Sequence, residues 1–505
     1  MFILEKLAQY ARTERTAIVY GEDSLSFAAL EQRSNAFARY LLDTLADDHT
    51  PVMIYGHKEL AIPACMFGCL KSGRGYVPVD TTFPPERVQR IAEQVQPKLV
   101  VDLAGCGVKA PTVLDAAALE QVLSLPAETV SRENWIAPDQ TAYILFTSGS
   151  TGTPKGVQIT AGNLAAFREG VAPWFNLGLD GGRFLNEISY SFDVSVCALY
   201  DALGRGMTLY TVDKQMLGDP KTLFAALRQS GIDAWVSTPS LAEVCVQSEQ
   251  FTSQLLPQVK QFVFCGEVLT KKLTEQMMER FPGVPILNAY GPTEATVLVT
   301  AAEMTKDMLQ SDRPLPIGYA FENVAARIVS DSGAVLPDGE AGELLLVGES
   351  VSPGYFGRPD LNAKSFFIDE ETGQQGYHTG DLCYRLNGLI YYCGRLDSQV
   401  KLNGFRVELE DVEHHLVRVD NIARAAVLPV MTDGKVTSLT AFVLLEHPDG
   451  LSSLKRGQTI KAALAGVLPS YMIPRKFIAL DAFPLNTNGK VDKKSLAALL
   501  RREAL

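Results

Sequence analysis

The sequence predicts an α/β protein in two parts. Residues 1–396 form a large N-terminal domain of doubly wound sheets with a β-rich subdomain, and residues 397–505 form a small α+β C-terminal domain. Three observations carry this reading. A chain of 505 residues exceeds one ordinary hydrophobic core and splits into domains. Between residues 52 and 102, apolar runs of strand length alternate with helical patterns, the mark of a parallel sheet with crossover helices. From Gly339 the texture changes to short strands and turns, which continue to Arg395-Leu396-Asp397. The remainder is a compact domain of roughly one hundred residues, an ordinary size.

The elements follow in order. Phe27, Leu30, Phe37, Leu41 and Leu45 recur at helical spacing, so residues 26–45 read as an amphipathic helix. Asp23-Ser24-Leu25 before it reads as a turn with an N-cap. Next come a strand at 52–55, a helix at about 58–70, a strand at 76–79, a helix at 85–95 and a strand at 98–102. Gly105 to Ala110 fits G-x-G-x-x-A, but Pro111 follows at once and no acidic residue ends a next strand at the required distance. Both features argue against a dinucleotide site there. Residues 142–146, 157–160, 204–213, 234–239 and 261–267 read as further strands, with Cys265 and Glu267 at a carboxyl end, where open α/β sheets place ligands. In the last domain the expectations are helices at about 408–417 and 460–467 and strands at 425–430, 439–445 and 477–480.

Composition narrows the function. Hydrophobic residues make up 47% and charged residues 21%, the balance of a soluble globular protein. A formal net charge of −12 argues against a general nucleic-acid binder, which needs a basic surface. The N-terminus is charged within a few residues and is no signal peptide. No apolar run approaches the ~20 residues of a membrane span, and the run from Ala61 to Leu70 reads as a buried helix. Eight sparse cysteines, without two pairs at zinc-ribbon spacing, point to reduced thiols and a cytoplasmic protein.

One stretch organises the chemistry. Phe146 to Val157 (FTSGSTGTPKGV) follows a buried strand and is small, polar and glycine-rich. Glycines let the backbone bring N–H groups close to an anion; Thr147, Ser148, Gly149 and Thr151 supply donors and Lys155 supplies charge. It is not a Walker loop, because Lys155 follows Pro154 and another strand, not a helix, comes next. Further candidates are Asp193, a carboxylate between Phe192 and Val194; the heptapeptide Asn288-Ala289-Tyr290-Gly291-Pro292-Thr293-Glu294; Asp381 in Tyr377–Asp381; Tyr392-Cys393-Gly394-Arg395; Asp397; and Lys490 in an Asn/Gly-rich loop. The plain alternatives are an N-cap for Asp193, a turn for Gly291-Pro292 and a solvated loop lysine for Lys490. His378 reads as structural, and His414-His415 lacks further ligands for a metal.

Taken in order, these motifs resemble the adenylate-forming ligases, a superfamily that includes acyl-CoA synthetases and peptide-synthetase adenylation domains. The resemblance runs almost end to end. It implies ATP and Mg²⁺, with Tyr290 stacking on adenine, Asn288 reading its amine, Glu294 on the magnesium, Asp381 on the ribose and Arg395 on ribose or phosphate. It also implies a mobile small domain that turns about Asp397 and carries the catalytic Lys490. Asp193 matches the counter-ion for a substrate ammonium, which argues against the acyl-CoA ligases. Phe192-Asp193, Cys265 and Val297 resemble the branch that activates D-alanine for teichoic-acid D-alanylation. The implied partner is a separate carrier protein with a phosphopantetheine arm, since the chain ends soon after Lys490. The rivals are adenylation of another small amino acid, an acyl-CoA ligase, and a non-catalytic ATP-binding regulator.

Overall fold

The computed structural model describes residues 1–149, 153–175, 181–484 and 491–502. They gather into two compact units: residues 1–81, 92–146 and 156–396 in the first, and residues 82–91, 147–155 and the chain from Asp397 onward in the second.

The first unit is built on two large sheets. One has nine strands, in the spatial order Tyr319–Ala320, Thr300–Glu303, Ile286–Tyr290, Gln261–Phe264, Ala234–Ser237, Arg183–Asn186, Thr208–Thr211, Thr16–Tyr20 and Asp23–Ser26. Its central pairs are parallel and only the edges are antiparallel. The other sheet has seven strands and is centred on Val52–Gly56 and Tyr76–Asp80, each buried at every position. Parallel strands covered on both faces read as continuous apolar runs, which is why these were visible as strands. Helices such as Phe27–Leu45 and Ala61–Lys71 pack against each other and the sheets through Phe37, Leu41, Phe67 and Leu70.

The β-rich part is a five-stranded antiparallel sheet of Val324–Val329, Ala341–Gly348, Phe366–Ile368, Gln375–Leu386 and Leu389–Arg395. It begins before Gly339, because Val324–Val329 pairs along its length with Ala341–Gly348. In the second unit a hairpin, Gln399–Leu402 with Phe405–Glu408, leads into the helix Leu409–Leu416. A sheet of Ile422–Thr432, Lys435–Leu445 and Lys476–Ala479 packs on that helix and on Ser453–Leu464 through Val412, Leu416, Ala441, Val443 and Leu464.

Several elements differ from expectation for local reasons. Asp23-Ser24-Leu25 is part of an edge strand, and the helix cap is Ser26, whose hydroxyl accepts from Ala29 N at 3.0 Å. The helix expected from 58 starts at Ala61, because residues 57–60 turn to make side-chain contacts described below. The strand expected over 204–213 is confined to Thr208–Thr211, after a tight turn closed by Gly206 at φ +70°. Pro239 opens a helix rather than ending a strand, a position whose missing N–H costs nothing. The helix expected at 460–467 runs from Ser453, capped by Ser452, and a last helix, Lys493–Arg502, had no sequence expectation. The G-x-G-x-x-A run is a loop in which Gly105 N and Cys106 N donate to the Asp102 carboxylate. No helix among the described residues is long and apolar enough to cross a membrane.

Candidate active site

Arg183–Asn186, Ala234–Ser237, Gln261–Phe264 and Ile286–Tyr290 run parallel, so their carboxyl ends emerge along one edge of the sheet. Asp193, Cys265 and the segment from Tyr290 to Val297 all follow these ends. The fold thus brings together candidates about a hundred residues apart in the chain.

Tyr290 ends its strand 4% exposed, and its hydroxyl donates to Asp381 Oδ2. Burial, with the Asp381 charge next, pushes the phenol far above its ordinary pKa and keeps it a donor. Arg395 Nη1 donates to Asp381 Oδ1 at 2.8 Å and to the Thr379 carbonyl at 3.0 Å. Antiparallel pairing of Gln375–Leu386 with Leu389–Arg395 sets Arg395 directly opposite Asp381. Tyr392, Cys393 and Gly394 precede it on that strand; Cys393 is exposed and Gly394 sits at φ +141°. Asn288 is buried and gives its amide to the Pro316 carbonyl at 2.7 Å, with Ala289 beside it in the core.

After Tyr290 the chain folds back on itself. A Cβ on Gly291 would lie 2.4 Å from the Val297 carbonyl oxygen, so no larger residue fits. Pro292 leads into a helical turn at Thr293–Ala295, and Thr296 and Val297 then take φ +59° and +72°. Left-handed backbone at a β-branched pair is strained and persists only where the surroundings impose it. This fold-back has two consequences. Thr293 Oγ1 donates to Asp193 Oδ2 at 2.6 Å, joining the heptapeptide to the half-buried carboxylate. Glu294 is fully buried, with Oε1 taking the Tyr355 hydroxyl at 2.7 Å and its carbonyl taking Ser352 N at 2.8 Å. Cys265 and Val297 are buried in the apolar cluster that also holds Val194 and Cys197.

Within the second unit, Ser148 Oγ donates to the Arg406 carbonyl at 2.8 Å and accepts from Glu408 N at 3.2 Å. Lys155 Nζ lies 3.4 Å from Glu408 Oε1, and Gln399 also donates to that oxygen. Burial raises the Glu408 carboxyl despite the opposing charges of Lys155 and Arg406. Thr147 and Gly149 flank Ser148, while Thr151 and Lys490 lie outside the described residues. Asp397 is exposed and its carboxylate caps the Gln399 N–H at 3.0 Å. His378 pairs with Glu343 at 3.0 Å.

Comparison decides the family. The family model for AMP-binding enzymes matches residues 4–356, and its C-terminal-domain counterpart matches residues 411–490. The chain belongs to the AMP-binding enzymes. This AMP-binding enzyme is 40% identical over 500 residues to a protein of Bacillus anthracis (strain CDC 684 / NRRL 3495) named D-alanine–D-alanyl carrier protein ligase, covering 98% of this chain and 99% of that one. A Bacillus cereus (strain AH820) protein of the same name is 40% identical over 501 residues, with the same coverage. Among solved structures, a Vibrio cholerae adenylation domain in complex with glycyl-adenosine-5'-phosphate superposes with TM-score 0.82 at 23% identity, covering 99% and 97% of the two chains. An NRPS protein containing adenylation and PCP domains matches with TM-score 0.82 at 26% identity, covering 99% and 84%. One residue of this enzyme's site escaped sequence reading, Tyr355. It acts from a strand far from the motif it supports, and its local trace is an aromatic in Gly354-Tyr355-Phe356-Gly357.

Proposed function

We propose that this AMP-binding enzyme is an AMP-forming ligase that activates D-alanine with ATP as D-alanyl-AMP. It then transfers the D-alanyl group to the phosphopantetheine thiol of a separate D-alanyl carrier protein, for D-alanylation of teichoic acids. The observation that carries the reading is the Asp193 carboxylate, half-buried beside Phe192 and Val194 and held by Thr293 of the nucleotide motif. A carboxylate fixed there matches the ammonium of an amino acid and disfavours a fatty acid, which brings no charge to meet it. The names of the relatives at 40% identity support D-alanine as that amino acid. Cys265 and Val297, both buried, would form the small apolar wall around a methyl side chain.

In the first half-reaction a D-alanine carboxylate oxygen attacks the α-phosphorus of ATP and pyrophosphate leaves. Asp193 orients the amino group, and Asp381, shaped by Tyr290 and Arg395, is the acceptor for the ribose hydroxyls. Thr147, Ser148, Gly149, Thr151 and Lys155 cradle the phosphates. Glu294 fits magnesium: it is an oxygen donor held in place by the Tyr355 hydroxyl. Magnesium typically arrives with substrate phosphates and takes one or two carboxylates. When bound, that ion would neutralise charge on the phosphates. In the second half-reaction the carrier thiol sulfur attacks the acyl carbon, AMP leaves and the thiol proton passes to solvent. Residues 397–505 would act as a mobile domain turning about Asp397, bringing Lys490 to the first half-reaction and withdrawing it for the second. The supply of ATP and carrier places this work in the cytoplasm.

The test is substrate-dependent ATP–pyrophosphate exchange with D-alanine, L-alanine, glycine, D-serine and a fatty acid. D-alanine preference is the expected result; exchange with the fatty acid alone overturns the reading. Lys490→Ala is expected to lower exchange by orders of magnitude while sparing thioester formation from supplied D-alanyl-AMP. Equal loss in both would rule out alternation.

A further inference from the structure

Asp193 lies on neither a strand nor a regular helix. Between the strand Arg183–Asn186 and the helical residues that begin at Ser195, the chain makes turns, held by Phe192 N to Ser189 O at 3.0 Å, with Val196 N to Asp193 O at 2.9 Å leading into the helical residues. Such a run has little intrinsic reason to present its carboxylate at one place. The order comes from outside. Residues 57 and 58 leave the strand Val52–Gly56 and meet it. Lys58, 2% exposed, donates from Nζ to Asn186 Oδ1 at 2.8 Å and to the Ile188 carbonyl at 2.5 Å. The same ammonium sits 4.0 Å from the centroid of the Tyr190 ring. Asn186 passes the constraint on, donating to the Tyr190 hydroxyl and to Thr211 Oγ1, both at 3.1 Å. Alongside, Asp80 accepts from Ser189 Oγ and pairs with His57 Nδ1 at 2.7 Å.

A buried ammonium is costly, and an apolar side chain of similar volume often stabilises a core as well or better. Here the charge goes mainly to a peptide carbonyl, an amide oxygen and a ring face, groups that set backbone path. Glu187, on the same run, and Asp80 are the nearby acids: burial lowers Lys58 to about 7 against the charges of Glu187 and Asp80, and burial raises the Glu187 carboxyl to about 7 against the charge of Lys58.

We propose that Lys58 is a positioning residue for amino-acid recognition, fixing the turns from Asn186 to Tyr190 so that Asp193 meets the substrate ammonium. This rests on the reading of Asp193 given above. The experiment is ATP–pyrophosphate exchange with Lys58→Met, Asp193→Asn and the double variant, measuring KM for D-alanine and for ATP separately. Lys58→Met is expected to raise KM for D-alanine about 10- to 100-fold, the scale of one or two hydrogen bonds to a charged group, with KM for ATP nearly unchanged. The double variant is expected to be no worse than Asp193→Asn alone. Equal rises in both KM values, or multiplicative losses in the double variant, would overturn the positioning role. Asn186→Ala, which removes one acceptor of Lys58 together with the amide donor to Tyr190 and Thr211, tests the same chain of contacts if Lys58→Met does not fold: an unchanged KM for D-alanine would count against the role. If Asp193→Asn leaves D-alanine use intact, the amino-acid reading falls and this inference with it. If Asp193→Asn abolishes D-alanine use and Lys58→Met does not, only the inference falls.

Discussion

Thr293 ties the Asn288–Glu294 segment to the Asp193 carboxylate, because its hydroxyl bonds Asp193. Asp193→Asn keeps the shape and removes the charge. KM for D-alanine is expected to rise about 100-fold, near the 3 kcal/mol lower bound for breaking a buried ion pair, with little change for ATP; exchange kinetics check it. Tyr355→Phe removes the donor to a fully buried Glu294 oxygen. Leaving a buried carboxylate short of a bond costs about 1–3 kcal/mol. Lowered thermal stability and a higher magnesium requirement in exchange assays are the expected outcomes. Asp193 was legible in the sequence because an acid between apolar neighbours is unusual. Lys58 was not, because a lysine near a helix start reads as solvated, and nothing local says that Asn186 and Ile188 lie beside it.

At the level of elements, caps and close approaches do the most with single atoms. Ser26 caps Phe27–Leu45 through Ala29 N. Ser26→Ala should therefore cost about 1 kcal/mol, the usual value of such a cap, seen as a lower denaturation midpoint with unchanged kinetics. Gly291→Ala puts a methyl 2.4 Å from the Val297 carbonyl oxygen. The fold-back must open, and exchange activity should fall far more than thermal stability, because the displaced segment carries Thr293 and Glu294. Strands buried on both faces were legible from continuous apolar runs. Element ends were not, since Ala61, Thr208 and Ser453 are set by tertiary contacts and caps rather than by periodicity.

On the scale of the whole molecule, several surface aspartates are held by arginines. Asp449 accepts from Arg456 Nε and Nη2, both at 2.7 Å, and these bonds hold its carboxyl down at about 2. A carboxyl depressed on folding adds stability above its unfolded value, near 3.9. That contribution disappears as pH falls through about 2. Arg456→Met should thus lower Tm at pH 5, by little because exposed pairs are weak, and the gap to the parent protein should close toward pH 2. Thermal melts across that range check the sign.

By itself the sequence determined the α/β class and the family motifs, because apolar periodicity and compact glycine-rich loops are local properties. It also supplied the chemistry of each candidate: a carboxylate for an ammonium, an oxygen donor for magnesium, a lysine for phosphate. Tertiary structure decided which candidates meet. Parallel pairing delivers Asp193, Cys265 and Tyr290 to one sheet edge, and antiparallel register sets Arg395 against Asp381. Those juxtapositions depend on strand order and register, which arise from contacts between residues distant in the chain.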